Sequence, residues 1–116
     1  KDVKAFLLAR IAVCEKAGIK KNKIILDPGF GFGKTLTHNT QLFTELAEFV
    51  KLEYPLLVGV SRKRMIAELL DDAPIEKRLF GSVAAATLAG MKGASIVRVH
   101  DVAPTVEALK VVSHLV

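Results

Sequence analysis

The sequence predicts an α/β fold made of parallel β/α units, and three observations carry that prediction. Three short apolar runs, near residues 23–27, 56–60 and 95–99, alternate with stretches of helical periodicity. A helical stretch lies between each run and the next, so neighbouring strands are reached by crossing back over the sheet, which makes them parallel with right-handed connections. The runs are apolar on both faces, as in a covered sheet, yet three strands are too few for a closed barrel or a complete doubly wound sheet. The expected architecture is an incomplete barrel in a single domain over residues 1–116.

Each element has its own signal. Val3, Phe6, Leu7, Ile11 and Cys14 recur at three- and four-residue steps, which predicts a first helix with these residues along one face and Gly18 as its stop. Ile24, Ile25 and Leu26 form the first strand, ended by Asp27-Pro28-Gly29. Leu42, Phe43, Leu46, Phe49 and Val50 predict a second helix that Pro55 prevents from continuing. Leu56 to Val60 is the second strand, followed by a short helix from Arg64 to Leu70, a turn at Asp71 to Pro74, and a longer small-residue helix from about Ile75 to Met91, closed by Gly93. Ser95 to Val99 is the third strand, and Pro104 fits the first turn of a last helix carrying Val106, Leu109 and Val112.

Composition removes several functional classes. With 51% hydrophobic and 25% charged residues spread along the chain, neither disorder nor low complexity is expected. The formal charge of +5 comes with only two tight clusters, Lys20/Lys21/Lys23 and Arg62/Lys63/Arg64, and no aromatic residues interleave with them to stack bases, so no nucleic-acid partner is expected. Leu79 to Met91 is too short to span a bilayer, and no membrane partner is expected. The single cysteine, Cys14, reads as core, and a cytoplasmic, reducing location follows as the default.

In parallel α/β architectures ligands bind beyond the carboxyl ends of the strands. All the polar sets of this chain fall there: Asp27 and a glycine loop after the first strand, Ser61-Arg62-Lys63 after the second, and Arg98, His100 and Asp101 at the end of the third. A carboxylate facing paired N–H donors and an arginine fork facing phosphate oxygens suit a ligand with a flat heterocycle at one end and an anion at the other. Asp27 is equally suited to capping its own Pro-Gly turn, and Lys63 to a solvated helix start. Arg98, inside an apolar strand, needs a partner or an anion. His100 shares its face under period-two alternation, and Asp101 either orients a neighbour or caps the last helix.

The loop Asp27-Pro28-Gly29-Phe30-Gly31-Phe32-Gly33-Lys34-Thr35 ends like a nucleotide-binding loop, but position 28, where the first glycine of that motif belongs, is proline. Alternating glycines instead turn the backbone sharply and bring Phe30 and Phe32 to the loop surface, to cover a ligand or to pack beneath the loop. His38 and His114 have no metal-ligand spacing, and no metal ligand is assigned. Ser61 has no base beside it in the sequence and reads as a loop or cap hydroxyl rather than a nucleophile.

Taken together, Asp27 to Lys34, Gly59-Val60-Ser61-Arg62-Lys63 and Arg98-Val99-His100-Asp101-Val102, with Gly81-Ser82-Val83-Ala84-Ala85-Ala86, resemble in order and spacing the signatures of the last three strands of the dihydropteroate synthases. The resemblance implies the C-terminal part of a (β/α)8 TIM barrel from folate biosynthesis, a transferase and sulfonamide target that joins p-aminobenzoate to 6-hydroxymethyl-7,8-dihydropterin pyrophosphate with magnesium assistance. By this resemblance Asp27 holds the pterin edge, Gly59 lies in the substrate site, Lys63 reaches the pterin ring, and Arg98 and His100 hold the pyrophosphate, with Lys63, Arg98 and His100 as the catalytic set. Phe32, Ser61 and Arg62 lie toward the p-aminobenzoate entrance. Arg64 departs from the small polar residue of many relatives. The first five strands, with their pterin ligands and magnesium contact, have no counterpart here, so the isolated chain is expected to be inactive and to associate as a homodimer or with the missing N-terminal portion. Two alternatives are a pterin-binding domain of a corrinoid-dependent methyltransferase and a non-enzymatic structural piece that docks to a complementary chain.

Overall fold

A computed structural model of the chain describes residues 2–30 and 35–115. The element order is α1 (Asp2–Lys16), α2 (Leu36–Thr44), α3 (Leu46–Val50), β1 (Leu57–Val58), α4 (Arg64–Leu69), α5 (Leu79–Met91), β2 (Ile96–Val97) and α6 (Val102–Leu115), with 3₁₀ turns at Lys21–Lys23 and Ile75–Lys77. Helices dominate, and the sheet is small and parallel. Leu57 pairs with Ile96 and Val58 with Val97, while Leu26 forms a parallel bridge to Leu56 on the other side of β1. Two bonds make that bridge, Leu26 N–H to the Pro55 carbonyl at 2.9 Å and Leu57 N–H to the Leu26 carbonyl at 2.8 Å.

The three strand sites are thus parallel, as the alternation predicted, but far shorter than five residues each. The reason lies in how the sheet is covered. Leu26, Leu56, Val58 and Val60 are buried against Leu42, Phe43, Leu46 and Phe49 of α2 and α3 and against Met65 and Ile66 of α4. Among the described residues the opposite face, where alternation puts Ile25, Leu57 and Ile96, carries no such layer: Ile25 is 54% and Ile96 39% exposed. Among the described residues β1 has a neighbour on each side, the Leu26 bridge and β2.

Helix ends follow local chemistry. Gly18 (φ 94°) sits just past α1, where its N–H bonds the Glu15 carbonyl at 3.0 Å and the Ile19 N–H bonds that of Cys14 at 3.0 Å. Gly93 (φ 109°) repeats the pattern after α5, with Gly93 N–H on Gly90 and Ala94 N–H on Ala89. Along α1, Leu7 and Ile11 are buried and Val3 and Cys14 half-buried, but Phe6 lies off that line and is exposed. The helix expected through Leu42 to Val50 breaks at Glu45 (φ −97°, ψ 14°), giving α2 and α3, and stops before Pro55 is reached. The long helix expected from Ile75 is a single 3₁₀ turn and then α5, interrupted at Arg78. In α6, Leu109 and Val112 are half-buried and Val106 is exposed; Thr105 is the residue fully buried.

Among the described residues no helix is long and apolar enough to cross a membrane.

Candidate functional site

The carboxyl end of the sheet opens into a cleft of about 510 Å³ lined by Gly59, Ser61, Arg62, Lys63, Ile75, Arg98, Val99 and His100. Of the residues singled out from sequence, Gly59, Ser61, Arg62, Lys63, Arg98 and His100 meet there. Asp27 does not: it lies at the carboxyl end of the adjacent bridge, exposed, outside that lining. Its Oδ1 accepts the Gly29 N–H at 2.9 Å, so the turn-capping role expected as one of two alternatives is present. Phe32 lies outside the described residues.

Arg98 follows β2 in register with Gly59. Its N–H bonds the Val58 carbonyl at 2.9 Å, and its guanidinium lies across Gly59, where a Cβ would come within 3.1 Å of both Nε and Nη2. Glycine at this position leaves room for the fork to lie over the strand. Among the described residues the Arg98 side chain has no hydrogen-bond or ion-pair partner, although it stands next to three other basic groups.

Those neighbours are tied down. The Lys63 Nζ donates to the Phe30 carbonyl at 2.9 Å, which links the first loop to the second. Phe30 itself is 1% exposed and packs on Phe43 with ring centroids 5.6 Å apart, so of the two loop aromatics it is core rather than ligand cover. The Arg62 guanidinium forms a two-point pair with the Asp101 carboxylate. That hydrogen bond, joined by the charges of Arg62 and His100, lowers the Asp101 pKa despite partial burial, and the same bond raises that of Arg62. Asp101 therefore orients a neighbour, and its carbonyl also accepts the Thr105 hydroxyl at 2.7 Å in the first turn of α6.

Ser61, which has no base beside it in the sequence, meets one from 39 residues away. Its buried Oγ accepts the His100 N–H at 3.2 Å and lies 3.0 Å from His100 Nδ1. The neighbouring Asp101 carboxylate is paired with Arg62 rather than with the His100 ring. Sequence reading also passed over Arg78, whose Nη1 donates to the Arg62 carbonyl at 2.9 Å, and the role of Ser82, whose Oγ accepts the Arg62 N–H at 2.8 Å. No spacing rule connects residues so far apart. Among the described residues no group of three or more His, Cys, Asp or Glu gathers to hold a metal.

Parallel β/α units with Arg62, Lys63, Arg98 and His100 lining a cleft at their carboxyl ends define an α/β protein with a basic rim at the strand ends. The model of the pterin binding enzyme family matches residues 1–100, and the chain belongs to that family. It is 57% identical over 111 residues to the dihydropteroate synthase of Escherichia coli K12, covering 96% of this chain and 39% of that protein. Its fold superposes on the crystal structure of Yersinia pestis dihydropteroate synthase with a TM-score of 0.94 at 53% identity, over 98% of this chain and 53% of the other. It also superposes on the Xanthomonas albilineans dihydropteroate synthase solved in complex with 7,8-dihydropteroate, with a TM-score of 0.96 at 48% identity over 98% of this chain and 44% of that one. The chain thus spans about 39% of the length of a curated relative.

Proposed function

We propose that this chain is the C-terminal segment, with the last three strands, of a dihydropteroate synthase barrel, and that its cleft holds the pyrophosphate end of the pterin substrate. The observation that carries the proposal is the Arg98 guanidinium laid across Gly59 beside Lys63 and His100, a cationic group whose side chain makes no bond among the described residues. The bare sheet face bearing Ile25 and Ile96 suits the interior of a barrel that further strands complete.

The chemistry follows from charge. When p-aminobenzoate displaces pyrophosphate, negative charge grows on the departing phosphate oxygens, and a preorganised arginine fork stabilises it without moving. His100 assists: its Nδ1 lies 3.0 Å from Ser61 Oγ, a contact that orients the ring so that Nε2 can donate to a phosphate oxygen. Lys63, anchored on the Phe30 carbonyl, reaches the pterin ring, and Asp27 accepts from its amino-pyrimidine edge. Arg62 and Ser61 lie toward p-aminobenzoate. Magnesium, which the resemblance implies, would be held by the pyrophosphate and by parts of the family fold outside this segment.

The test uses a chimera in which this segment replaces the matching 111 residues of the Escherichia coli relative. Arg98→Ala is expected to weaken pterin-pyrophosphate binding by roughly ten- to a hundredfold, as for loss of charge-assisted bonds, and bare pterin by less than about threefold. Equal losses would remove the assigned role. Tighter binding of methyltetrahydrofolate than of pterin pyrophosphate would favour the methyltransferase reading instead.

A further inference from the structure

We propose that Ser82 and Arg78, neither of which lines the cleft, are positioning residues that hold Arg62 in a left-handed backbone conformation and thereby aim Ser61 and Lys63 at the anion rim. Arg62 has φ 57°, a left-handed region in which an L-residue with a long side chain is strained. Such a conformation persists only where its surroundings impose it. Here both peptide groups that flank the Arg62 Cα are held from outside the loop. The N–H on one side donates to Ser82 Oγ at 2.8 Å, which fixes the rotation φ describes, and the carbonyl on the other accepts from Arg78 Nη1 at 2.9 Å, which fixes ψ.

The two anchors are themselves built in. Ser82 is 3% exposed in the first turns of α5, and the glycine before it allows α5 to lie close to α4: a Cβ at Gly81 would stand 2.8 Å from Ile66 Cγ2 and 2.9 Å from Leu70 Cδ1. Arg78 occupies the break between the 3₁₀ turn and α5, and its Nε holds the Ala73 carbonyl at 2.9 Å with the same guanidinium. From the fixed Arg62, its side chain runs to Asp101, while Ser61 on one side meets His100 and Lys63 on the other meets the Phe30 carbonyl. One strained residue therefore sets the register of all three loops at the rim.

The consequence for ligand binding rests on the reading of this cleft as a pyrophosphate site, so the test separates the two ideas by measuring backbone amide exchange and inorganic pyrophosphate binding on this chain. Ser82→Ala is expected to speed exchange of the Arg62 and His100 amides by roughly tenfold, the effect of losing one buried hydrogen bond, and to weaken pyrophosphate by a similar factor. Core amides such as those of Ile11 and Phe49 should keep their protection, and Ser82→Thr, which retains the hydroxyl, should restore both readouts. If Ser82→Ala does not fold, Arg78→Gln removes the other anchor and is read the same way. Unchanged exchange at positions 62 and 100, or faster exchange with unchanged pyrophosphate affinity, overturns the proposal. So does a uniform loss of protection through the core that Ser82→Thr fails to reverse. A parent chain that binds no pyrophosphate would remove the proposed function, while the amide readout would still decide whether Ser82 and Arg78 hold Arg62.

Discussion

At Gly59 the absence of a side chain has a definite use, because the space a Cβ would take is filled by the Arg98 guanidinium. Gly59→Ala should push that fork aside by a few tenths of an ångström, and titration calorimetry with pyrophosphate should register a several-fold loss, smaller than for Arg98→Ala, with little change in melting temperature. The Arg62–Asp101 pair gives a prediction in pH. Asp101 has a lowered pKa in the folded chain, so its contribution to stability is fully present above the ordinary carboxylate range and fades as pH falls through the unfolded value toward the folded one. The difference in urea midpoint between the parent and Asp101→Asn should therefore be largest near about pH 7, shrink as pH falls through the ordinary carboxylate range, and vanish only below the lowered folded value. Neither partner advertised the other: Arg62 and Asp101 stand 39 residues apart, and only the fold brings the guanidinium to the carboxylate.

At the scale of elements, helix ends obeyed local chemistry closely while helix interiors did not. Gly18 and Gly93 stop α1 and α5 as their positions foretold, since a left-handed residue is needed at each end. The two sites differ in surroundings. A Cβ at Gly18 would meet nothing within 4 Å, whereas one at Gly93 would stand 2.9 Å from Val50 Cγ2. Gly18→Ala should cost about 1 kcal/mol from backbone strain alone, and Gly93→Ala about 2–4 kcal/mol because overpacking adds to it. Denaturant unfolding of the two variants measures the difference directly. The breaks at Glu45 and Arg78 had no such local mark. At Arg78 the departure from helical geometry accompanies its bonds to the Ala73 and Arg62 carbonyls, which are tertiary contacts.

For the molecule as a whole, the sheet face carrying Ile25 and Ile96 and helix surfaces bearing Phe80 (84% exposed) and Leu115 (79% exposed) leave much apolar area in water. Sedimentation at micromolar concentration should find the chain self-associated and without turnover of pterin pyrophosphate and p-aminobenzoate. Adding a polypeptide with the preceding part of the Escherichia coli relative should disperse the self-associated species and restore turnover. A stable, active monomer would contradict both statements.

The sequence by itself determined the alternation of helices with apolar runs, the parallel sense of the strands, the helix stops at Gly18 and Gly93, and the gathering of polar residues past the strand ends. Each of these depends on periodicity or on a backbone preference that a few adjacent residues carry. The tertiary structure alone decided which face of the sheet is covered, that Phe30 is core, that Asp27 stands outside the cleft, that Ser61 rests on His100, and that Ser82 and Arg78 grip Arg62. Those outcomes depend on contacts between residues distant in the chain, whose geometry is set by how α4 and α5 pack on the sheet rather than by any local pattern.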